Sequence, residues 1–195
     1  IYLGIVVLFL WLIFSNFTLS ELGSYEFIKN NRNYLVSARE SSLLLTSLIF
    51  FVFTIVWVLL LGFGTPIFLI GGFIFGKWIG TFVVVLGLSI GATFLYIFGN
   101  YFLKDFIKDK FLKKFNDLDI KFKKSEFLYL LIYRFIGGVP WQLSCLLPTI
   151  FNVKTSNFFF ATLIGIIPQI FLAVSIGSGL EKIIDQNAEV PGITD

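Results

Sequence analysis

The sequence predicts an all-α integral membrane protein, a helical bundle in which two opposed re-entrant helical hairpins form an inverted repeat. Three observations carry that prediction. The 195 residues are 57% hydrophobic and 14% charged, with a mean hydropathy of +0.90, more apolar surface than a soluble fold of this size can hide. Long windows are nearly free of charge: Lys77 stands alone between Ser41 and Leu103, and Arg134 and Lys154 are the only charges between Phe127 and Leu180. Both windows are broken by Gly and Pro, and irregular backbone at membrane depth is tolerated only where protein or a water-filled cavity satisfies its amides.

In chain order, residues 1–42 comprise a truncated first membrane helix and a surface segment. Ile1 to Phe14 is an apolar run without the basic start and small-residue cleavage site of a signal peptide, and the chain lacks even an initial Met, so a longer reading frame or a processed chain is expected. Residues 16–42 are polar, with Tyr25, Phe27, Ile28, Tyr34 and Leu35 suited to a membrane surface. Residues 43–180 form a single membrane domain. It begins with a span over 43–62, about the 20 apolar residues that cross a bilayer core. Residues 64–77 carry Pro66, Gly71, Gly72, Gly76 and Lys77, too broken to span, and are expected to be the first re-entrant hairpin. A span follows over 79–102, with Gly76, Gly80, Gly87 and Gly91 spaced to share a face where helices approach closely.

Residues 103–126 are an amphipathic linker with eight Lys and five acids, its apolar positions 103, 106, 107, 111, 115, 118 and 122 at helical spacing. The positive-inside rule places it in the cytoplasm. Residues 127–153 break at Gly137, Gly138 and Pro140 and form the second hairpin. A span over 157–177 is kinked at Pro168, whose ring removes a helix hydrogen bond. Residues 181–195 are an acidic tail. Aligning the two broken segments pairs Gly64 and Pro66 with Gly138 and Pro140 and, after a gap of two, Ile74 and Phe75 with Ile150 and Phe151. Interrupted segments in two halves point to a transporter-like inverted repeat with a site near the midplane.

With no His and one Cys, His-ligated and Cys-rich metal sites, imidazole bases and an internal disulfide are excluded. No cofactor is implied, and a non-enzyme is expected. Arg134 lies about 12 Å along a helix starting at Glu126, and an Arg near the bilayer centre costs about 2.5–3.5 kcal/mol on insertion scales. It needs a partner, and neither apolar block holds a carboxylate. The candidates are hairpin carbonyls, water, Glu40 or Glu126, or a ligand anion such as a phosphate head group. Pro140 at the first helical position would leave the amides of Trp141 and Gln142 facing the same space. Gln142, Ser144 and Asn152 line a polar path or satisfy the broken backbone. Equally, Arg134 can fix the hairpin tip by binding carbonyls. Lys77 and Lys154 suit interfacial anchoring, and Cys145 suits burial as a small hydrophobe.

The stretches "GGFIFGKWIGTFVVVLGLSIGATFLYIFGNY" and "YRFIGGVPWQLSCLLPTIFNVKTSNFFFATLIGIIPQIFLAVSIGSGL" resemble the DedA superfamily, also called the VTT-domain or SNARE-associated Golgi protein family, in its bacterial vacuolar-transport-protein-like branch. The resemblance covers roughly residues 60–180. It implies two facing re-entrant hairpins and a role in moving lipids between leaflets, or in proton-linked transport and envelope homeostasis. Its arginine corresponds to Arg134, its proline to Pro140, the following aromatic to Trp141, and the first-hairpin glycines to Gly72 and Gly76. Many relatives have proline at Gly137, asparagine at Cys145 and arginine at Asn100, and an acidic residue beside the first-hairpin proline has no counterpart at Pro66. The leading expectation is a multi-pass protein of a cell membrane, taken as a bacterial inner membrane, that moves phospholipids or polyprenyl phosphates. Its partners would be anionic lipid head groups, with no nucleic acid and a homo-oligomer left open. An ion- or proton-coupled solute carrier and a non-transport scaffold are the alternatives.

Overall fold

A computed structural model describes residues 11, 25–60, 64–102 and 124–189. The first helix expected over 1–14, most of the linker and the end of the tail fall outside the described residues. What is described is all-helical, without a strand. The helices are α1 (Tyr25–Asn30), α2 (Arg32–Ser41), α3 (Leu43–Leu59), α4 (Gly64–Phe102), α5 (Glu126–Ile136), α6 (Trp141–Leu146, continued by a 3-10 turn over Leu147–Phe151), α7 (Thr155–Gly165) and α8 (Ile167–Glu189). Among the described residues, α4 is long and apolar enough to cross a membrane. So are two bent pairs if each is one span: α2 with α3, bent by 118°, and α7 with Ile167–Leu180, bent by 46°. Contacts divide the chain into two units, one drawn from Ile1–Phe53, Phe63–Val84 and Ile170–Asp195, the other from Thr54–Gly62 and Val85–Gln169.

In the first unit, α4 is not one straight rod. Gly76 has φ 70° and ψ −179°, a conformation open essentially to glycine, and the chain reverses there. A methyl group built on Gly71 would stand 2.8 Å from Val84, and one on Gly80 would stand 2.7 Å from the Gly71 carbonyl oxygen. In a straight helix residues 71 and 84 would be about 20 Å apart. The spacing argument that put Gly76 on one face with Gly80 therefore fails, because it assumed one continuous helix. Residues 77–102 alone extend about 39 Å, enough to cross a bilayer core. Pro66 is buried in the first turn of α4, where its missing N–H has no partner to lose. α3 packs on residues 64–75, with Phe50 edge-on to Phe75 at 5.4 Å and touching Gly71.

The first unit also sets Gly72 against the α8 backbone at Val174 and Ser178, and Gly177 against that of Leu69. Two helices meet here with no side chain between them, the small-residue contact by which apolar helices associate. α2 leaves α3 at Ser42, whose Oγ accepts the Leu45 N–H at 3.3 Å, while Thr46 Oγ1 donates to the Ala38 carbonyl at 2.6 Å. Arg39 Nη1 donates to the Ile74 carbonyl at 3.3 Å, a cation at a helix C-terminus where the last carbonyls lack intrahelical donors.

The second unit is built on α5. Arg134 lies against Ser144 and Cys145, while Glu126 accepts the Lys154 N–H at 3.1 Å and Asn157 Nδ2–H at 2.9 Å. Those pairings make α5 and residues 141–151 two antiparallel limbs joined through Gly137–Pro140. Pro140 departs from expectation: with ψ 136° it is the N-cap, outside the helix, and its carbonyl accepts the Ser144 N–H. Asn152 ends the returning limb at φ 48°, ψ 47°, the left-handed region that Asn tolerates better than most residues. α7 then packs along α5. Ala92, Leu95, Tyr96, Leu130, Cys145, Val153, Phe158 and Ala161 form the core. In it, Tyr96 stacks on Phe158 at 4.5 Å and donates its hydroxyl to the Val153 carbonyl at 2.6 Å. The break between α7 and α8 falls at Ile166, two residues ahead of Pro168, because a proline ring collides with the carbonyl four residues before it.

Candidate functional site

Three elements place Arg134. It is in the last turn of α5, which Gly137 terminates by adopting φ 69° and donating its N–H to the Tyr133 carbonyl. The returning limb brings Trp141 and Ser144 back beside it. α7 closes the third side, and does so tightly because Gly165 has no side chain: a methyl there would stand 2.6 Å from Arg134 Cβ.

Arg134 is 4% exposed, and its partners are all neutral. Nε donates to Thr162 Oγ1 at 3.1 Å, Nη1 to Ser144 Oγ at 2.6 Å, and Nη2 reaches Cys145 Sγ at 3.6 Å. The guanidinium carbon is 5.1 Å from the ring centres of both Trp141 and Phe158, cation–π contacts that orient the charge without neutralising it. Glu126, one of the acids considered from sequence, is occupied at the start of α7. A guanidinium has five N–H donors, so these contacts leave two.

A cavity of about 90 Å³ adjoins the arginine, lined by Tyr133, Arg134, Gly137, Gly138, Val139, Trp141, Ser144, Ile166 and Gln169. Tyr133 Oη and Trp141 Nε1 are buried in its wall without a hydrogen-bond partner among the described residues. Ser144 Oγ is engaged twice, accepting from Arg134 and donating to the Trp141 carbonyl. Gln169 Nε2 donates to the Arg134 and Phe135 carbonyls at 3.2 and 2.7 Å and so caps the end of α5. The cavity is cationic and rich in unsatisfied donors, suited to an anion or to ordered water.

Of the residues singled out from sequence, Arg134, Gly138, Trp141 and Ser144 meet at this cavity, and Pro140 caps the helix that carries two of them. Gln142 is half-buried outside the lining. Asn152 stands at the far end of the returning limb. Pro66, Gly72 and Gly76 belong to the first unit, as helix start, packing contact and turn. Lys77 and Lys154 are exposed and Cys145 is fully buried. Sequence reasoning missed Tyr133, Thr162 and Gln169. The signal existed: Thr162 and Gln169 are polar residues within an apolar stretch.

Comparisons with known proteins identify the family. The VTT domain family model matches residues 62–179. The chain is 29% identical over 137 residues to a transmembrane protein 41 homolog of Caenorhabditis elegans, covering 66% of this chain and 55% of that one. It is 30% identical over 140 residues to a transmembrane protein 41 homolog of Dictyostelium discoideum, covering 67% and 41%. Against the uncharacterized protein YqeD of Bacillus subtilis it is 26% identical over 111 residues, covering 56% and 53%. The chain thus spans about half the length of the curated relatives it matches. No solved structure matches. With its apolar helices and a family model covering more than half its length, the chain belongs to the VTT-domain, or DedA, family of membrane proteins.

Proposed function

We propose that this membrane protein moves phosphate-bearing lipids, phospholipids or polyprenyl phosphates, between leaflets, with Arg134 receiving the phosphate. One observation carries the reading: a buried arginine with only neutral partners faces a cavity into whose wall Tyr133 and Trp141 bring unpartnered donors. A lone cation at membrane depth is costly, and a phosphate is the anion a bilayer supplies. The order of elements supports the inverted-repeat part of the reading. Each half runs as a helix (α3; α5), a proline-started return (64–75; 141–151), a positive-φ residue (Gly76; Asn152) and an apolar segment of spanning length, one helix over 77–102 in the first half and α7 with the start of α8, bent by 46°, in the second. On this reading the protein is multi-pass in a cell membrane, a bacterial inner membrane by the branch it resembles, and transports rather than catalyses.

The test is reconstitution of the full-length protein in liposomes with labelled phospholipid and labelled polyprenyl phosphate. Transport of either, slowed at least tenfold by Arg134→Gln, supports the proposal; a well-folded protein that moves neither refutes it. A second reading rests on the three contacts to Thr162, Ser144 and Cys145: Arg134 staples α5, α6 and α7 together. Trp141→Phe separates the two, because it removes a cavity donor and none of those contacts. The staple reading expects unchanged transport, the ligand reading slower transport.

A further inference from the structure

We infer that the Arg134 cavity selects a singly charged phosphate diester and rejects the doubly charged phosphate monoester; this rests on the phosphate-binding reading above and narrows it to phosphodiester lipids, because a polyprenyl phosphate is itself a monoester. Charge balance sets the selectivity. Among the described residues the cavity contains one formal charge, that of Arg134; its other available donors, Tyr133 Oη–H and Trp141 Nε1–H, are neutral. Lys154 stands at the far end of the returning limb, exposed.

A diester has one negative charge, which one guanidinium neutralises. A monoester carries about −1.5 to −2 at neutral pH, so the second charge would be buried without a counter-charge, in a site where burying an unpaired charge is strongly unfavourable. The shape agrees. A diester needs room for two ester arms, and the tip is open at Gly138, where an added methyl would meet nothing within 4 Å. The cavity itself admits little more than the phosphate group.

Two short-chain probes that differ by one methyl test the inference on the full-length protein in detergent: dihexanoyl phosphatidylmethanol, a diester, and dihexanoyl phosphatidic acid, a monoester. Dimethyl phosphate and inorganic phosphate serve as tail-free probes, separating a lipid site from one for the free anion. The diester is expected to bind at least tenfold tighter at pH 7. The gap should close at pH 5, where the monoester, with a second pKa near 6, carries one charge. The titratable groups beside the site are Arg134, Tyr133 and Cys145, and the chain has no His.

Tyr133→Phe and Trp141→Phe should each weaken diester binding about fivefold, the usual worth of a neutral hydrogen bond, and Lys154→Gln should leave it unchanged. Monoester binding equal to or tighter than diester binding at pH 7 overturns the inference while leaving a phosphate site standing. So does an unchanged diester affinity in both donor variants. Absence of binding by every probe overturns the inference and the phosphate reading together.

Discussion

Gly165 and Arg134 are in contact across the α5–α7 seam so closely that a single methyl on Gly165 would stand 2.6 Å from Arg134 Cβ. The backbone at Leu131 presses from the same side, its carbonyl 3.1 Å from that methyl, so the seam cannot yield by a rotamer change. Gly165→Ala is expected to cost about 1–3 kcal/mol by overpacking and to tilt Arg134 away from Thr162. Thermal melts in detergent check the first effect. Loss of transport greater than the loss of folded protein checks the second.

The two turn-region glycines of α4 should fail for different reasons. Gly76→Ala meets open space but must hold φ 70° and ψ −179° with a side chain, a strain of about 1–3 kcal/mol. Gly72→Ala keeps a helical backbone but drives a methyl into the Val174 carbonyl, so α4 and α8 must part. The expected order of melting temperature is wild type, Gly76→Ala, Gly72→Ala; the reverse order between the variants would contradict the packing described.

Glu126 joins the starts of α5 and α7 by accepting from the Lys154 backbone and the Asn157 side chain. Its carboxylate also stands at a helix N-terminus, where negative charge is favoured. Glu126→Ala should cost about 1 kcal/mol or more and speed amide exchange over residues 153–158. Glu126→Gln keeps an acceptor oxygen and should lose less. Equal losses in the two variants would mean that the charge, and not a neutral acceptor oxygen at that position, carries the stabilisation.

Gln169→Glu exchanges a donor for an acceptor opposite the Arg134 and Phe135 carbonyls. It also puts a carboxylate in the wall of the arginine cavity. A stability loss of about 1–3 kcal/mol follows from the facing acceptors, and phosphate binding should be abolished by charge compensation. Gln169→Ala should show the stability loss but retain phosphate binding, and calorimetric titration of both variants separates the effects.

Composition alone determined that this chain belongs in a membrane, because long uncharged stretches have nowhere else to be buried. It also marked where helices break, since Gly and Pro act on their own backbone whatever surrounds them: Gly137, Gly138 and Pro140 form the second turn, and Pro66 starts a helix. Arg134 was legible as the residue in need of a partner for the same local reason, a charge inside an apolar run. Which partner it takes was not legible. Thr162 is 28 residues away, and the seam that brings it near exists because Gly165 lets α7 approach α5. Likewise Gly71, Gly72, Gly76 and Gly80 look alike in sequence, and only folding made one a reversal and the others contacts. Local conformational preference is written in each residue; partnership between residues depends on how closely two backbones can approach, and that is settled by the packing of whole helices.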